Sequence, residues 1–261
     1  MEFSSIGIGT YKVKPQEQMD NLLNSAIRCG YKMIDTAEIY RNQRFIGEFF
    51  KKNPQYDRTK FWITTKVSFD NVKNRDDEVI IKSINKTFID LNTSYVDLYL
   101  IHCPIENKNV KVWNILRQYQ KEGKIRHIGI SNFTLDKLKV FMEEIGEEES
   151  KHIFCNQIEY NPFLNRKDLV EFCLRNNIKI VAYGCLYKKN EIIDAIATKL
   201  DRTSEQILLK WSLQNNVNII TTSDNPKYIN DNICLDFEID KDDMDLLNNL
   251  HDNFCVYTKY L

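Results

Sequence analysis

Short apolar runs alternate with longer polar-apolar stretches along the whole chain. Each run is rich in Val, Ile, Tyr or Thr, a composition typical of buried β-strands. Eight runs of this kind occur, at residues 5–10, 31–37, 61–67, 95–102, 125–132, 153–160, 178–184 and 216–222. The pattern therefore predicts eight strands.

The stretches between the runs have the spacing of amphipathic helices. Between residues 16 and 30, for example, Met19, Leu22 and Ile27 fall on one helical face. Glycines stand where such helices are expected to end, and capping residues where two of them begin: Gly30, Gly123 and Gly146, and Thr134 and Asn165.

Strand and helix thus alternate eight times. A helix between consecutive strands is the crossover connection that parallel strands need, so this alternation indicates parallel pairing. Eight units favour a closed (β/α)₈ TIM barrel, with a doubly wound open sheet as the alternative. No Pro/Gly/Ser-rich linker or internal repeat divides the chain. We therefore expect one α/β domain over residues 1–261.

Composition narrows the possible partners. The 36 Lys and Arg nearly cancel the 37 Asp and Glu, so the basic surface of a nucleic-acid-binding protein is absent. No apolar run is long enough to cross a membrane, and the N-terminus does not resemble a signal peptide. The seven cysteines are scattered and never form a C-x-x-C pair, which disfavours a disulfide scaffold or a zinc ribbon. We expect a cytoplasmic protein, monomeric and acting on a small molecule.

Three neighbouring predicted strands end in different titratable residues, namely Asp35, Lys66 and His102. The carboxyl ends of barrel strands meet at one mouth, where barrel enzymes carry their chemistry. Tyr40 follows Asp35 by five residues and is able to fold back over that mouth. Each of these residues alone is usually a helix cap, a solvated cation or a structural histidine, but their coincidence on adjacent strand ends favours a catalytic site.

The four side chains have complementary chemistry. Asp35 would hold the Lys66 ammonium in place, and a cation beside a phenol stabilises its phenolate form. Tyr40 would then donate a proton to a developing alkoxide near neutral pH, and His102 would orient the same oxygen. The sequence offers no nucleophile with its base and no metal-ligand spacing, so we predict no metal.

None of these groups carries a hydride, so redox chemistry here requires a cofactor. Further strand ends offer partners for a nicotinamide: Ser131, Asn132 and Gln157 suit its carboxamide, and the Tyr183 ring is able to stack on a pyridine ring. The G-x-G-x-x-G motif of Rossmann domains is absent. A cofactor would therefore lie extended across the barrel mouth, with its phosphates near the last two strands.

From Gly7 to Leu250 the sequence resembles the aldo-keto reductase family. The matching segments are 33–43, 63–67, 97–104, 122–133, 155–162 and 181–186. The resemblance implies a catalytic tetrad of Asp35, Tyr40, Lys66 and His102. It also implies cofactor contacts from Ser131, Asn132, Gln157, Tyr183, Leu186, Ser223, Tyr228, Asp231 and Asn232. A short C-terminal tail implies an open substrate pocket with Tyr11 and Cys103 on its wall.

Two departures from the family pattern concern the cofactor. The Ser and Gly of the loop after the seventh strand are replaced by Gly184 and Tyr187. The Lys and Arg that usually hold the 2′-phosphate of NADPH are replaced by Thr222 and Tyr228. The sequence thus leaves the choice between NADPH and NADH open, and we expect weak discrimination between them.

The resulting hypothesis is an NAD(P)H-dependent reductase of aldehydes or ketones with Tyr40 as proton donor. A nicotinamide-binding redox sensor or regulatory subunit, with slow or no turnover on the same barrel, is the alternative. A lyase or isomerase on an unrelated barrel is a second alternative that the matching segments disfavour.

Overall fold

The computed structural model describes residues 2–72 and 76–256. Eight parallel strands close into a barrel in sequence order, and the last pairs with the first, Ile6 opposite Ile219. The strands are β1 (Ile6–Gly9), β2 (Met33–Asp35), β3 (Trp62–Val67), β4 (Val96–Ile101), β5 (Ile125–Ser131), β6 (Ile153–Glu159), β7 (Lys179–Tyr183) and β8 (Val217–Thr221). Each strand lies within its predicted run. The (β/α)₈ prediction is confirmed, and closure excludes the open sheet.

Helices surround the barrel and connect its strands. They are α1 (Gln16–Arg28), α2 (Gln43–Lys52), α3 (Phe69–Val72), α4 (Asp77–Asp90), α5 (Asn109–Lys121), α6 (Leu135–Ile145), α7 (Glu147–Ser150), α8 (Lys167–Arg175), α9 (Glu191–Leu200), α10 (Ser204–Gln214), α11 (Pro226–Asp231) and α12 (Lys241–Asn248). Two short 3₁₀ turns occur at Glu38–Tyr40 and Arg58–Lys60. None of the helices described is long and apolar enough to span a membrane.

The predicted helix ends were right with one exception. Gly30, Gly123 and Gly146 all have positive φ, between 74° and 97°, in the region that favours glycine after a helix. Thr134 caps α6 by accepting a hydrogen bond from the backbone of Lys137 at 3.4 Å.

The cap predicted at Asn165 is wrong. The residue before α8 is Arg166, in the left-handed region, and its side chain makes no cap hydrogen bond. Asn165 instead donates its amide to the backbone oxygen of Asn248 at 3.1 Å. The side chain therefore ties the start of α8 to the end of α12, a contact between residues 83 positions apart.

One face of β3 changes from apolar to polar along its length. Because alternate residues share a face, Trp62, Thr64 and Lys66 of β3 lie on one side of the sheet. Below the mouth this face is apolar, and its side chains form a separate buried cluster of Met33, Trp62, Leu98, Leu100, Cys155 and Val181. Phe3 packs edge-on against Trp62 at 5.1 Å between ring centroids and joins this cluster. The barrel thus places a buried apolar layer beneath the polar groups at its mouth.

The contact between α2 and α4 depends on a glycine at residue 47. A Cβ at Gly47 would lie 2.3 Å from the backbone oxygen of Asp90 and 2.8 Å from the carbonyl carbon of Leu91. Neither backbone atom is able to move aside without displacing the end of α4. Gly47 is therefore required by helix packing rather than by its own backbone angles.

We expect Gly47→Ala to lower the free energy of unfolding by about 2 kcal/mol, because the contact with backbone atoms places the overpacking penalty at the upper end of its range of about 1–3 kcal/mol. This loss should exceed the gain in helix propensity of about 1 kcal/mol that alanine brings. Urea unfolding at equilibrium measures the change, with Glu48→Ala on the exposed face of the same helix as the control. A Gly47→Ala protein as stable as the wild type would contradict this account of the packing.

Candidate active site

A buried ion pair lies at the mouth of the barrel. Lys66 Nζ, at the end of β3, is 2.5 Å from Asp35 Oδ1, at the end of β2. The same ammonium donates to the backbone oxygen of Thr36 at 2.9 Å. Lys66 is 1% exposed and Asp35 is 3% exposed. The strand register of the barrel thus fixes a cation beneath the cavity floor.

Burial and charge act on Lys66 in opposite directions. Removal from water lowers the pKa of the Lys66 ammonium, and the Asp35 carboxylate opposes that effect. Breaking such a pair from one side leaves an uncompensated buried charge, which is strongly unfavourable. The pair therefore has to be kept intact for the site to exist.

Tyr40 occupies the end of the 3₁₀ turn that follows β2. Its hydroxyl is 3.5 Å from Lys66 Nζ, the long limit of a hydrogen bond. The ring packs against Tyr11 at 5.1 Å between centroids and edge-on against His102 at 5.9 Å. The sequence prediction that Tyr40 folds back over the mouth is consistent with this placement, and all four predicted tetrad residues lie together.

His102 is neutral at this site. Burial, together with the nearby Lys66 cation, lowers the pKa of the His102 imidazole from 6.5 to about 3. A neutral imidazole has one N–H donor and one acceptor. His102 is thus able to hydrogen-bond an oxygen beside Tyr40 without adding a second positive charge.

The amide and hydroxyl side chains predicted for the carboxamide form a network of their own. Asn132 donates to the His102 backbone oxygen at 2.8 Å and accepts from the Tyr183 hydroxyl at 2.6 Å. Ser131 donates to the backbone oxygen of Gln157 at 2.8 Å. These bonds fix the side chains in place before any ligand arrives.

Gln157 has a contact that sequence reasoning missed. Its Nε2 donates to Asp35 Oδ2 at 2.8 Å, so the carboxylate is held by Lys66 on one oxygen and by Gln157 on the other. A residue predicted only as a cofactor contact is therefore also part of the charge network. No local signal indicates this, because the two residues are 122 positions apart.

A cavity of about 500 Å³ opens above these groups, a size usual for small-molecule sites. Its wall is formed by Gly9, Tyr11, Asp35, Ile39, Tyr40, His102, Ser131, Asn132, Gln157, Tyr183, Gly184, Tyr187, Ile220, Thr221 and Thr222. Neutral donors and aromatic rings dominate the wall, a donor set that suits a nicotinamide ring with its carboxamide. Among the described residues, no Lys or Arg lines it.

One predicted wall residue lies elsewhere, and seven wall residues were not among the predicted site residues: Gly9, Ile39, Gly184, Tyr187, Ile220, Thr221 and Thr222. Ile39 and Tyr187 are 37% and 48% exposed and line the cavity. Ile39 had a signal, since it is an apolar residue directly before the predicted proton donor. Tyr11 lines the cavity as expected, but Cys103 is 5% exposed and is absent from the wall.

The remaining predicted cofactor residues lie beyond the cavity wall. They are Leu186 after β7, Ser223 after β8, and Tyr228, Asp231 and Asn232 in or just after α11. Tyr228 is 56% exposed, whereas Asn232 is buried. The Ser223 hydroxyl accepts the backbone N–H of Asn225 at 3.1 Å and so is already engaged locally. These residues border the part of the mouth next to β8.

The described residues contain no cluster of His, Cys, Asp or Glu able to hold a metal ion. None of the cysteines in that part of the chain forms a disulfide.

Comparison with known proteins gives consistent matches over nearly the whole chain. The Aldo/keto reductase family matches residues 5–252. Glyoxal reductase of Bacillus subtilis is 33% identical over 96% of this chain and 90% of its own, and methylglyoxal reductase DkgB of Yersinia pestis is 34% identical over 85% and 83%. The crystal structure of MGS-M4, an aldo-keto reductase enzyme from a deep-sea metagenome library, superposes with a TM-score of 0.90 at 29% identity, covering 99% and 95% of the chains.

These matches bear on the alternatives raised by the sequence. The relatives are named as reductases, which supports carbonyl reduction and does not favour a non-catalytic sensor. A lyase or isomerase on an unrelated barrel is likewise not favoured.

We expect the His102 imidazole to remain neutral between about pH 8 and about pH 5, the range in which ordinary histidines titrate. Its folded pKa of about 3 lies well below that range. NMR titration of the ring signals, with His102 assigned by its loss in His102→Gln, measures this directly. A His102 signal that titrates near pH 6.5 would show that the imidazole is not buried as described.

Proposed function

Because this chain belongs to the aldo/keto reductase family and acts as an oxidoreductase on carbonyl groups, we propose a specific mechanism and substrate class. The substrates are small neutral aldehydes and α-oxoaldehydes, reduced to alcohols with Tyr40 as proton donor. The observation that carries the proposal is the placement of the Tyr40 hydroxyl 3.5 Å from a buried ammonium, at the edge of a cavity.

Each residue of the tetrad has a separate task in this mechanism. Ser131, Asn132, Gln157 and Tyr183 would hold a reduced nicotinamide, which would supply the hydride for the carbonyl carbon. Tyr40 gives its proton to the carbonyl oxygen as negative charge develops there. The Lys66 cation stabilises the phenolate left behind, and Asp35 keeps that cation in place. Neutral His102 donates a hydrogen bond to the same oxygen and so orients the carbonyl.

The chain's own residues also account for how the cofactor is held. Ser131, Asn132 and Gln157 would bind the carboxamide, and the partly exposed ring of Tyr183, which lines the cavity, would stack on the nicotinamide. Leu186, Ser223, Tyr228, Asp231 and Asn232 would hold the part that extends past β8. In this proposal Gln157 links cofactor binding to the charge network, since it also holds Asp35.

The cavity wall supports the substrate class. Tyr11, Ile39 and Tyr187 give it aromatic and apolar surface, and no Lys or Arg of the described chain lines it. An anionic substrate would therefore have no cationic partner there, whereas a small neutral carbonyl compound needs none. The relatives named for glyoxal and methylglyoxal are consistent with this class.

We also propose that the protein works as a monomer in the cytoplasm. The absence of disulfides among the described cysteines suits a reducing compartment.

We expect Tyr40→Phe to lower kcat for aldehyde reduction by at least about 10²-fold, the usual contribution of a general acid. The Kd for the nicotinamide cofactor should stay within about threefold, because the hydroxyl acts on the reacting oxygen and not on the cofactor. Stopped-flow assays and quenching of tryptophan fluorescence measure the two quantities.

Tyr56→Phe is the matched control, since it removes a hydroxyl from a residue between α2 and β3, outside the cavity wall. Near-normal turnover by Tyr40→Phe would show that another group supplies the proton.

The chain's preference between NADPH and NADH is proposed to be weak, with NADPH favoured by less than about thirtyfold. Each charge-assisted hydrogen bond to the 2′-phosphate contributes about 1.5–3 kcal/mol, and Thr222 and Tyr228 bring no charge. Both are exposed; Thr222 directly precedes Ser223 in the sequence, and Tyr228 follows it by five residues. Lys227 is also exposed next to Tyr228 and is the nearest substitute in sequence.

We expect Thr222→Lys combined with Tyr228→Arg to tighten NADPH binding at least about tenfold and to leave NADH nearly unchanged. Fluorescence titration with both cofactors measures this. Ile89→Lys combined with Val140→Arg is the control, since it adds the same charge at exposed positions on α4 and α6. A wild-type Kd for NADPH hundreds of times below that for NADH would overturn the proposal and point to Lys227.

A further inference from the structure

Glu38 is a partly buried acid beside the site, and the proposed mechanism does not use it. It begins the 3₁₀ turn that ends at Tyr40. Its Oε1 accepts the Tyr99 hydroxyl at 2.6 Å, and its Oε2 accepts the Asn71 amide at 2.7 Å and the Ser68 backbone N–H at 3.1 Å. A fourth donor, the Ser83 hydroxyl, lies 3.5 Å from Oε1.

The partners of Glu38 come from three elements and from the residue that follows β3. Ser68 follows β3, Asn71 belongs to α3, Ser83 to α4 and Tyr99 to β4. One carboxylate thus ties the turn after β2 to the next two strands and their helices. Behind Tyr99 the network continues, because its hydroxyl is also 3.0 Å from that of Thr87 on α4.

Burial without such partners would be unfavourable for a carboxylate. Burial raises the pKa of the Glu38 carboxyl, and its hydrogen bonds with Tyr99, Ser68, Asn71 and Ser83 oppose that rise. Like these donors, Glu38 is absent from the cavity wall, so it has no contact there with a substrate. Its effect on chemistry has to pass through the turn that it anchors.

The turn is held from its other end as well. Asn42 donates its amide to the backbone oxygens of Thr10 at 2.7 Å and Val13 at 3.1 Å. Between Asn42 and Glu38 stand only Ile39, Tyr40 and Arg41, the last in the left-handed region with φ 56°. Tyr40 therefore sits on a short segment fixed at both sides, and the Glu38 side is the one that faces α3, α4 and β4.

We propose that Glu38 is a positioning residue, which holds the 3₁₀ turn so that the Tyr40 hydroxyl stays beside Lys66 and over the cavity. This inference rests on the proposed role of Tyr40 as proton donor. Because the hydroxyl is already at the limit of hydrogen-bond distance from Lys66, a small rotation of the turn separates the two groups. A displacement of about 1 Å at a reacting group is able to cost about 10²-fold in rate.

Glu38→Gln is the main test, because it keeps the side-chain shape but removes the charge and one of the two acceptor oxygens. We expect kcat for aldehyde reduction to fall by about 10- to 10²-fold, while KM and the cofactor Kd stay within about threefold. Glu48→Gln on exposed α2 is the matched control for the same chemical change. Unchanged kcat in Glu38→Gln would overturn the proposal.

A double-mutant cycle decides whether Glu38 acts through Tyr40. In the Tyr40→Phe background, Glu38→Gln should cause no further loss of kcat, because there is no proton donor left to position. An equal loss in both backgrounds would show that Glu38 acts elsewhere, and so would overturn the proposal.

Tyr99→Phe provides a second variant in case Glu38→Gln folds poorly. It removes the shortest hydrogen bond to Glu38 from the far side, and Tyr99 is itself fully buried away from the cavity wall. We expect the same loss of kcat with KM and cofactor Kd retained; a loss of cofactor binding instead would contradict the inference.

The variants together distinguish the two proposals. Near-normal turnover by Tyr40→Phe would refute the proton-donor role itself. A defective Tyr40→Phe together with normal turnover by the Glu38 and Tyr99 variants would refute only the role of Glu38.

Discussion

The ion pair between Lys66 and Asp35 is the constraint on which the rest of the site depends. Neither group is able to stay charged in a buried position unless the other is in place, since removing an ion from water costs several kcal/mol even after relaxation. The pair forms only when β2 and β3 are neighbours in the correct register, with Asp35 opposite Thr64. Gln157 adds the third support from β6, across the barrel. The buried ion pair therefore exists only when the barrel is closed.

The alternation of side chains along each strand allows the barrel to hold this buried ion pair. The same inward face carries apolar residues in its lower part and polar residues at its carboxyl end, as Trp62 and Lys66 illustrate on β3. The apolar layer keeps water from below, so electrostatic interactions above it act in a medium of low polarity and are strengthened. The same low polarity keeps His102 neutral, which leaves Lys66 as the cation next to Tyr40.

The side chains of the cavity wall and those of the residues after β8, which we call the rim, differ in how firmly they are held. At the wall, Asn132 is fixed by His102 and Tyr183 before a ligand binds, so little ordering remains to be done on binding. At the rim, Thr222 and Tyr228 are exposed and uncharged. In the mode of cofactor binding that we propose, shape and neutral hydrogen bonds would hold the reactive half of the dinucleotide. The other half would meet Thr222 and Tyr228, which carry no charge.

The sequence by itself determined the eight strands, the helix-ending glycines and the meeting of Asp35, Lys66 and His102 at one mouth of the barrel, because these follow from local periodicity and from the rule that parallel strand ends share one edge. It did not determine which side chains meet across that edge. Asn165 looked like a cap and instead reaches α12; Cys103 looked like a wall residue and is buried. The bond from Gln157 to Asp35 joins residues 122 positions apart, and that from Tyr99 to Glu38 joins residues 61 apart. Contacts of this kind exist only after the barrel closes, since closure sets the distances between strands that no local pattern encodes.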